Sequence, residues 1–210
     1  MNTENFIQTL VADGLQPVIP IGRKLLKALG AASVLAMLSL LIRHPRPDLI
    51  HAFSTAPFIF KLVLLLSVSA AATVLLVNTA RPVAVGRVHW PLLMSLLLLA
   101  AGVMVELATV PAQDWRAHLL GHNPVHCLMC ILLFSLAPLG CLLLALRYGA
   151  PNRPALAGAA AGLTAGAVAA TVYALTCPED SPLFIATWYS AAIAVIVLAS
   201  AGAGRRFLRW

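Results

Sequence analysis

Six apolar runs, each close to the length of a membrane span, constrain this chain more than any other feature. They cover residues 25–42, 57–77, 91–110, 125–146, 155–176 and 184–203. A helix needs about 20 such residues to cross the hydrocarbon. In lipid every backbone N–H and C=O must be paired inside its own segment, so runs of this length must be helical. The whole chain agrees: 61% of its 210 residues are hydrophobic and only 10% are charged, against about 45–50% apolar in soluble domains. No small-residue cleavage site precedes Arg43, so the first run reads as a span and not as a removable leader. The expectation is an all-α, six-helix transmembrane bundle, one domain over 23–210, preceded by a polar segment over 1–22.

Basic residues set the expected orientation. With six spans both termini share a side, and that side carries Arg23, Lys24, Lys27, Arg81, Arg87, Arg147, Arg153, Arg205, Arg206 and Arg209. The other side carries Arg43, Arg46, Lys61 and Arg116. An excess of Lys and Arg marks the cytoplasmic face, so both termini are expected there. The net charge of +7 then works as a topology signal and as an attraction to the anionic lipid bilayer. No basic domain is present to carry direct nucleic-acid binding.

The segment 1–22 divides in two. Residues 3–13 (TENFIQTLVAD) place Phe6, Ile7, Leu10 and Val11 on one helical face, and Gly14 offers a stop. Residues 15–20 (LQPVIP) read as an extended, proline-stiffened linker. So short a helix is marginal alone in water. It either lies on the bilayer or folds as a bait into a cytosolic partner's groove, and the residues alone leave both readings open.

The last two apolar runs before the carboxyl-terminal span form a hairpin around residues 147–154 (RYGAPNRP). Counting outward from that turn at 1.5 Å per residue puts Cys127 and Cys177 within about 4 to 5 Å of the same depth. Both fall at the outer end, where disulfides persist, which is the arrangement of a switchable thiol pair. Cys130 completes a C-x-x-C with Cys127 (CLMC) but lies about 9 Å below Cys177 by the same count. A disulfide needs Cα atoms within about 7 Å, so Cys127 is the better partner. The βαβ surroundings of a thioredoxin-like motif are missing, and no enzymatic role is expected. Cys141 lies mid-span and reads as apolar filler. Gly158, Gly162 and Gly166, four apart among alanines, form a close-packing face, with the 125–146 helix as its expected neighbour.

Other polar groups gather at the same end. His122 and His126 precede Cys127, while Glu179 and Asp180 follow Cys177. Thiolate, imidazole and carboxylate together suit zinc, cadmium or copper, although the spacing forms no tight metal framework and loop histidines are often plain polar filler. Glu106, just inside the third run, is an intramembrane carboxylate and so either functional or interfacial.

The stretches CLMCILLFSLAP (127–138), ALRYGAPNRPALAGAAAGLTAGAVAATVYALTCPEDSPLFIATWY (145–189) and GRRFLRW (204–210), with LQPVIP near the amino terminus, resemble the NrsF family of membrane anti-sigma factors. The resemblance implies a six-span inner-membrane protein whose short cytoplasmic amino-terminal segment holds an extracytoplasmic-function sigma factor inactive. It also implies two periplasmic-side cysteines needed for the response to heavy-metal or oxidative stress, which map here to Cys127 and Cys177; Cys130 falls outside the pattern. No cofactor is obligatory; a heavy-metal ion would bind transiently as a signal. Two rival classes fit less well. A membrane thiol oxidoreductase would use two outer cysteine pairs, and this chain has at most three outer cysteines. A transporter or metal-handling protein would show several intramembrane polar residues or broken helices, and only Glu106 and Pro138 qualify. Pairing of two copies as a homodimer is left open.

Overall fold

The computed structural model describes residues 21–42, 45–80, 90–149 and 151–208. Among these are six helices long and apolar enough to cross a membrane, and no strand. They are α1 (Ile21–Ile42), α3 (Ala56–Thr79), α4 (Trp90–Thr109), α6 (Pro124–Arg147), α7 (Pro154–Tyr173) and α8 (Pro182–Phe207). Two short helices not anticipated from the sequence, α2 (Leu49–Ala52) and α5 (Trp115–Leu120), lie in the connections. The segment carrying Phe6, Ile7, Leu10 and Val11 lies outside the described residues.

Prolines mark where the long helices begin. α3, α6, α7 and α8 each have Pro in the first two positions, where the missing N–H would have no intrahelical partner anyway. These prolines extend the helices to or just past the limits of the apolar runs. Pro138 lies inside α6 and is buried there, where neighbouring helices can accommodate the lost hydrogen bond.

α7 is the centre of the bundle, packed by α3, α6 and α8, while α1 leans on α6 and α4 on α3. Its alanines and glycines are why: thirteen of its twenty residues are buried, since small side chains let three neighbours approach a single helix. The glycine face meets α8 and not, as expected from the sequence, α6. A Cβ at Gly158 would strike the Ser200 carbonyl and approach the Gly204 Cα at 2.9 Å, and one at Gly162 would overlap the Ser200 side chain. α6 packs on α7 as well, but the positions that demand glycine are those facing α8.

Two apolar clusters fill the two ends. One joins Leu25, Leu76, Leu142, Leu146, Ala157 and Leu208, at the end where α1 begins and α8 finishes. There Lys24 lies over the Tyr148 ring at 4.2 Å, and Arg205 and Arg206 occupy the last turn of α8. The other cluster joins Leu64, Leu65, Cys127, Ile131, Tyr173, Cys177, Phe184 and Tyr189. This second end, the cysteine end, carries the candidate site.

Candidate functional site

Cys127 lies in the first turn of α6, just after the Asn123 cap and Pro124. Cys177 follows the end of α7, and its N–H still donates to the Tyr173 carbonyl at 3.1 Å, which winds the chain one extra turn. The two Sγ atoms stand 3.5 Å apart, and the residues are 4% and 1% exposed. Two phenols flank the pair. The Tyr173 hydroxyl donates to Cys127 Sγ at 3.1 Å. The Tyr189 hydroxyl faces the Cys177 thiol but makes no hydrogen bond of ordinary geometry. Tyr189 closes a π-helical turn over Ile185–Tyr189; such turns admit one extra residue and rotate the helix beyond them.

The chain between α7 and α8 is held by cations. Lys61, on the second turn of α3, is fully buried. Its Nζ donates to the carbonyls of Cys177 (3.1 Å) and Glu179 (2.8 Å) and to Asp180 Oδ1 (3.1 Å). Arg46 Nη1 reaches the other Asp180 oxygen at 3.0 Å and grips Asp48 through Nε and Nη2 at 2.8 and 2.9 Å. Carbonyls past a helix end have no intrahelical donor, and in apolar surroundings leaving them bare is costly. Lys61 and Arg46 supply the donors, and the carboxylates offset the charge. The hydrogen bond to Cys127, with the nearby Lys61 charge, holds the Cys177 thiol below its ordinary range. The Arg46 hydrogen bond likewise holds Asp48 low.

Glu106 ties α4 to the same connection. It is 8% exposed and accepts from Ser181 Oγ at 2.6 Å and from the Leu183 N–H at 2.7 Å, and it pairs with His118 Nδ1 at 2.7 Å. Ser181 caps α8 through the Phe184 N–H, so Glu106 extends that cap from another helix. A cavity of about 980 Å³ opens beside it, lined by Phe60, Val105, Glu106, His118, His122 and Glu179 among others.

The structure therefore brings Cys127 and Cys177 together and divides the other sequence candidates among separate partners. His122 pairs with Glu179 at 2.5 Å, His126 lies 3.6 Å from Cys130 Sγ, and Asp180 belongs to Lys61 and Arg46. Among the described residues no three His, Cys, Asp or Glu side chains converge as a metal-binding group. The sequence reading missed Lys61, Tyr173 and Tyr189. Lys61 had been counted only as an outer-face charge, yet a lysine one turn inside an apolar run is itself a signal of a buried role.

Comparison with known proteins gives consistent results. The family model described as NrsF, negative regulator of sigma F, matches residues 11–210. The chain is 35% identical to the anti-sigma-F factor NrsF of Caulobacter vibrioides and 32% identical to the probable anti-sigma-F factor NrsF of Azospira oryzae. Both alignments cover the full length of both chains. No solved structure matches.

Proposed function

This chain belongs to the NrsF family of negative regulators of sigma F, and on that footing we propose that it is an inner-membrane anti-sigma factor switched by Cys127 and Cys177. Segment 1–22 holds an extracytoplasmic-function sigma factor on the cytoplasmic side, with Phe6, Ile7, Leu10 and Val11 as the apolar face offered to the partner. The termini-side surplus of Lys and Arg supports that orientation. Two of the four basic residues assigned to the opposite side, Arg46 and Lys61, are paired internally with Asp180, which leaves the outer face still less positive.

The observation that carries the reading is the 3.5 Å separation of two buried sulfurs, one in the first turn of α6 and one just past the end of α7. Oxidation to a disulfide would draw them in by about 1.5 Å. A soft ion bound by both is also accommodated, because two sulfurs about 2.3 Å from a tetrahedral zinc stand roughly 3.8 Å apart. Either event joins the start of α6 to the connection between α7 and α8, and α8 runs back to the end of the bundle where α1 begins. Reversing a 1:99 equilibrium takes about 5.5 kcal/mol of differential binding, and that is the demand on the signal. Co-purification tests the proposal. Membranes carrying the reduced protein should retain the sigma factor; cadmium or a thiol oxidant should release it. Retention under both treatments would sink the switch.

A further inference from the structure

Tyr189 is fully buried, and among the described residues its hydroxyl is the buried side-chain polar atom without a hydrogen-bond partner. An unmet hydroxyl in a dry core lowers stability. Phenylalanine would fill the same volume against Tyr173 (centroids 6.1 Å apart) and Phe184 (6.2 Å) without that cost. The second phenol of the site differs: the Tyr173 hydroxyl already has its acceptor, Cys127 Sγ. The Tyr189 hydroxyl lies in the same buried cluster as Cys127 and Cys177, interacts with the Cys177 thiol, and has no hydrogen bond of ordinary geometry at rest.

We propose that the Tyr189 hydroxyl is the hydrogen-bond donor for an oxygen atom carried on Cys177 during oxidation by a hydroperoxide, so that Cys177 is the attacking thiol and Cys127 the resolving thiol. The inference rests on the reading of these two cysteines as the switch. In the first step Cys177 sulfur attacks the terminal oxygen of the hydroperoxide. The S–O bond forms, the O–O bond breaks, and the thiol proton leaves with the alkoxide as an alcohol, or as water from hydrogen peroxide. Cys177 is then a sulfenic acid, its oxygen accepting from Tyr189. In the second step Cys127 sulfur, 3.5 Å away at rest, attacks the Cys177 sulfur. The S–S bond forms, the S–O bond breaks, and hydroxide departs with the Cys127 proton as water. Two thiols lose two electrons, and one hydroperoxide is reduced. The assignment of roles comes from the surroundings: Cys127 sulfur is engaged by Tyr173, whereas the Lys61 cation is hydrogen-bonded to the Cys177 carbonyl.

The test uses the reduced full-length protein in lipid nanodiscs, with hydrogen peroxide as one oxidant and glutathione disulfide, which places no oxygen on sulfur, as the other. Disulfide formation within one chain is tracked by intact mass. Tyr189→Phe is expected to slow the peroxide reaction about tenfold or more, the scale of one hydrogen bond to a charged oxygen, to leave the glutathione disulfide reaction unchanged, and to melt no lower than wild type. In Cys127→Ser, peroxide should add oxygen to Cys177. Equal peroxide rates for wild type and Tyr189→Phe would overturn the role of Tyr189 alone. So would equal slowing with both oxidants, which would make Tyr189 merely structural. A wild-type protein that forms no Cys127–Cys177 disulfide with either oxidant would overturn the thiol switch as well.

Discussion

Replacing Lys61 by methionine tests whether the cation organises the cysteine end. Methionine keeps the length and apolar stem of lysine but removes donors to the Cys177 carbonyl, the Glu179 carbonyl and Asp180. Asp180 keeps one cation, Arg46 at 3.0 Å. Removing one member of a buried ion pair costs about 3–5 kcal/mol, and the remaining arginine places the expectation at the lower end, about 3 kcal/mol. For a chain of this size each kcal/mol moves the melting point by about 2–4 °C, so a fall of roughly 6–12 °C is expected, read by intrinsic fluorescence in nanodiscs. The connection holding Cys177 should loosen at the same time, and oxidant-driven Cys127–Cys177 cross-linking should drop. Lys61→Met with Asp180→Asn removes both charges and should recover about 1 kcal/mol or more over the single variant, because the two sites are directly coupled. A Lys61→Met protein that melts within a degree or two of wild type and cross-links equally well would refute this role for the cation.

Other substitutions probe independent parts of the molecule. Gly162→Val should destabilise by about 1–3 kcal/mol through overpacking, because any Cβ there overlaps Ser200. Gly140→Ala, with open space around it, should gain about 0.5–1 kcal/mol from the better helix former; thermal melts compare the two. Glu106→Gln keeps the shape but replaces one of the two oxygens that accept from Ser181 and Leu183 with an amide donor, and should lower stability by about 1–3 kcal/mol in the same assay. Phe6→Asp or Leu10→Asp should free the sigma factor without stress, seen as constitutive reporter expression; normal repression would place the partner surface elsewhere.

Local quantities were legible in the sequence, and long-range ones were not. Helical rise per residue is nearly constant, so counting from the 147–154 turn brought Cys127 and Cys177 to one level, and their sulfurs lie 3.5 Å apart. The spacing of Gly158, Gly162 and Gly166 identified a close-packing face but not its partner, because a helix face carries no label for its neighbour. The matching pattern was present in Ile196, Ser200 and Gly204, also four apart, which line that face. The buried role of Lys61 was not legible because a lysine near a span end serves equally as a topology charge; only the fold shows the carbonyls and Asp180 it bonds. Tyr189 was less legible still. Its direction depends on the π-turn over Ile185–Tyr189, and one extra residue rotates the downstream helix by about 100°. The carboxylates and imidazoles grouped with the thiols as metal candidates take separate partners in space: His122 pairs with Glu179, Asp180 with Arg46 and Lys61, and His126 approaches Cys130.

The central claim is that Cys127 and Cys177 act as one unit on the sigma factor. The direct measurement is sigma-dependent reporter output under cadmium and under peroxide in strains carrying Cys127→Ser, Cys177→Ser, both together, Cys130→Ser or Cys141→Ser. Each single change in the pair should abolish induction and the double variant should look no worse, the non-additivity of partners in one interaction. Cys141→Ser and Cys130→Ser should induce nearly as wild type. Full induction in Cys177→Ser, or loss in Cys130→Ser equal to that in Cys127→Ser, would contradict the pair and shift the switch to the C-x-x-C motif.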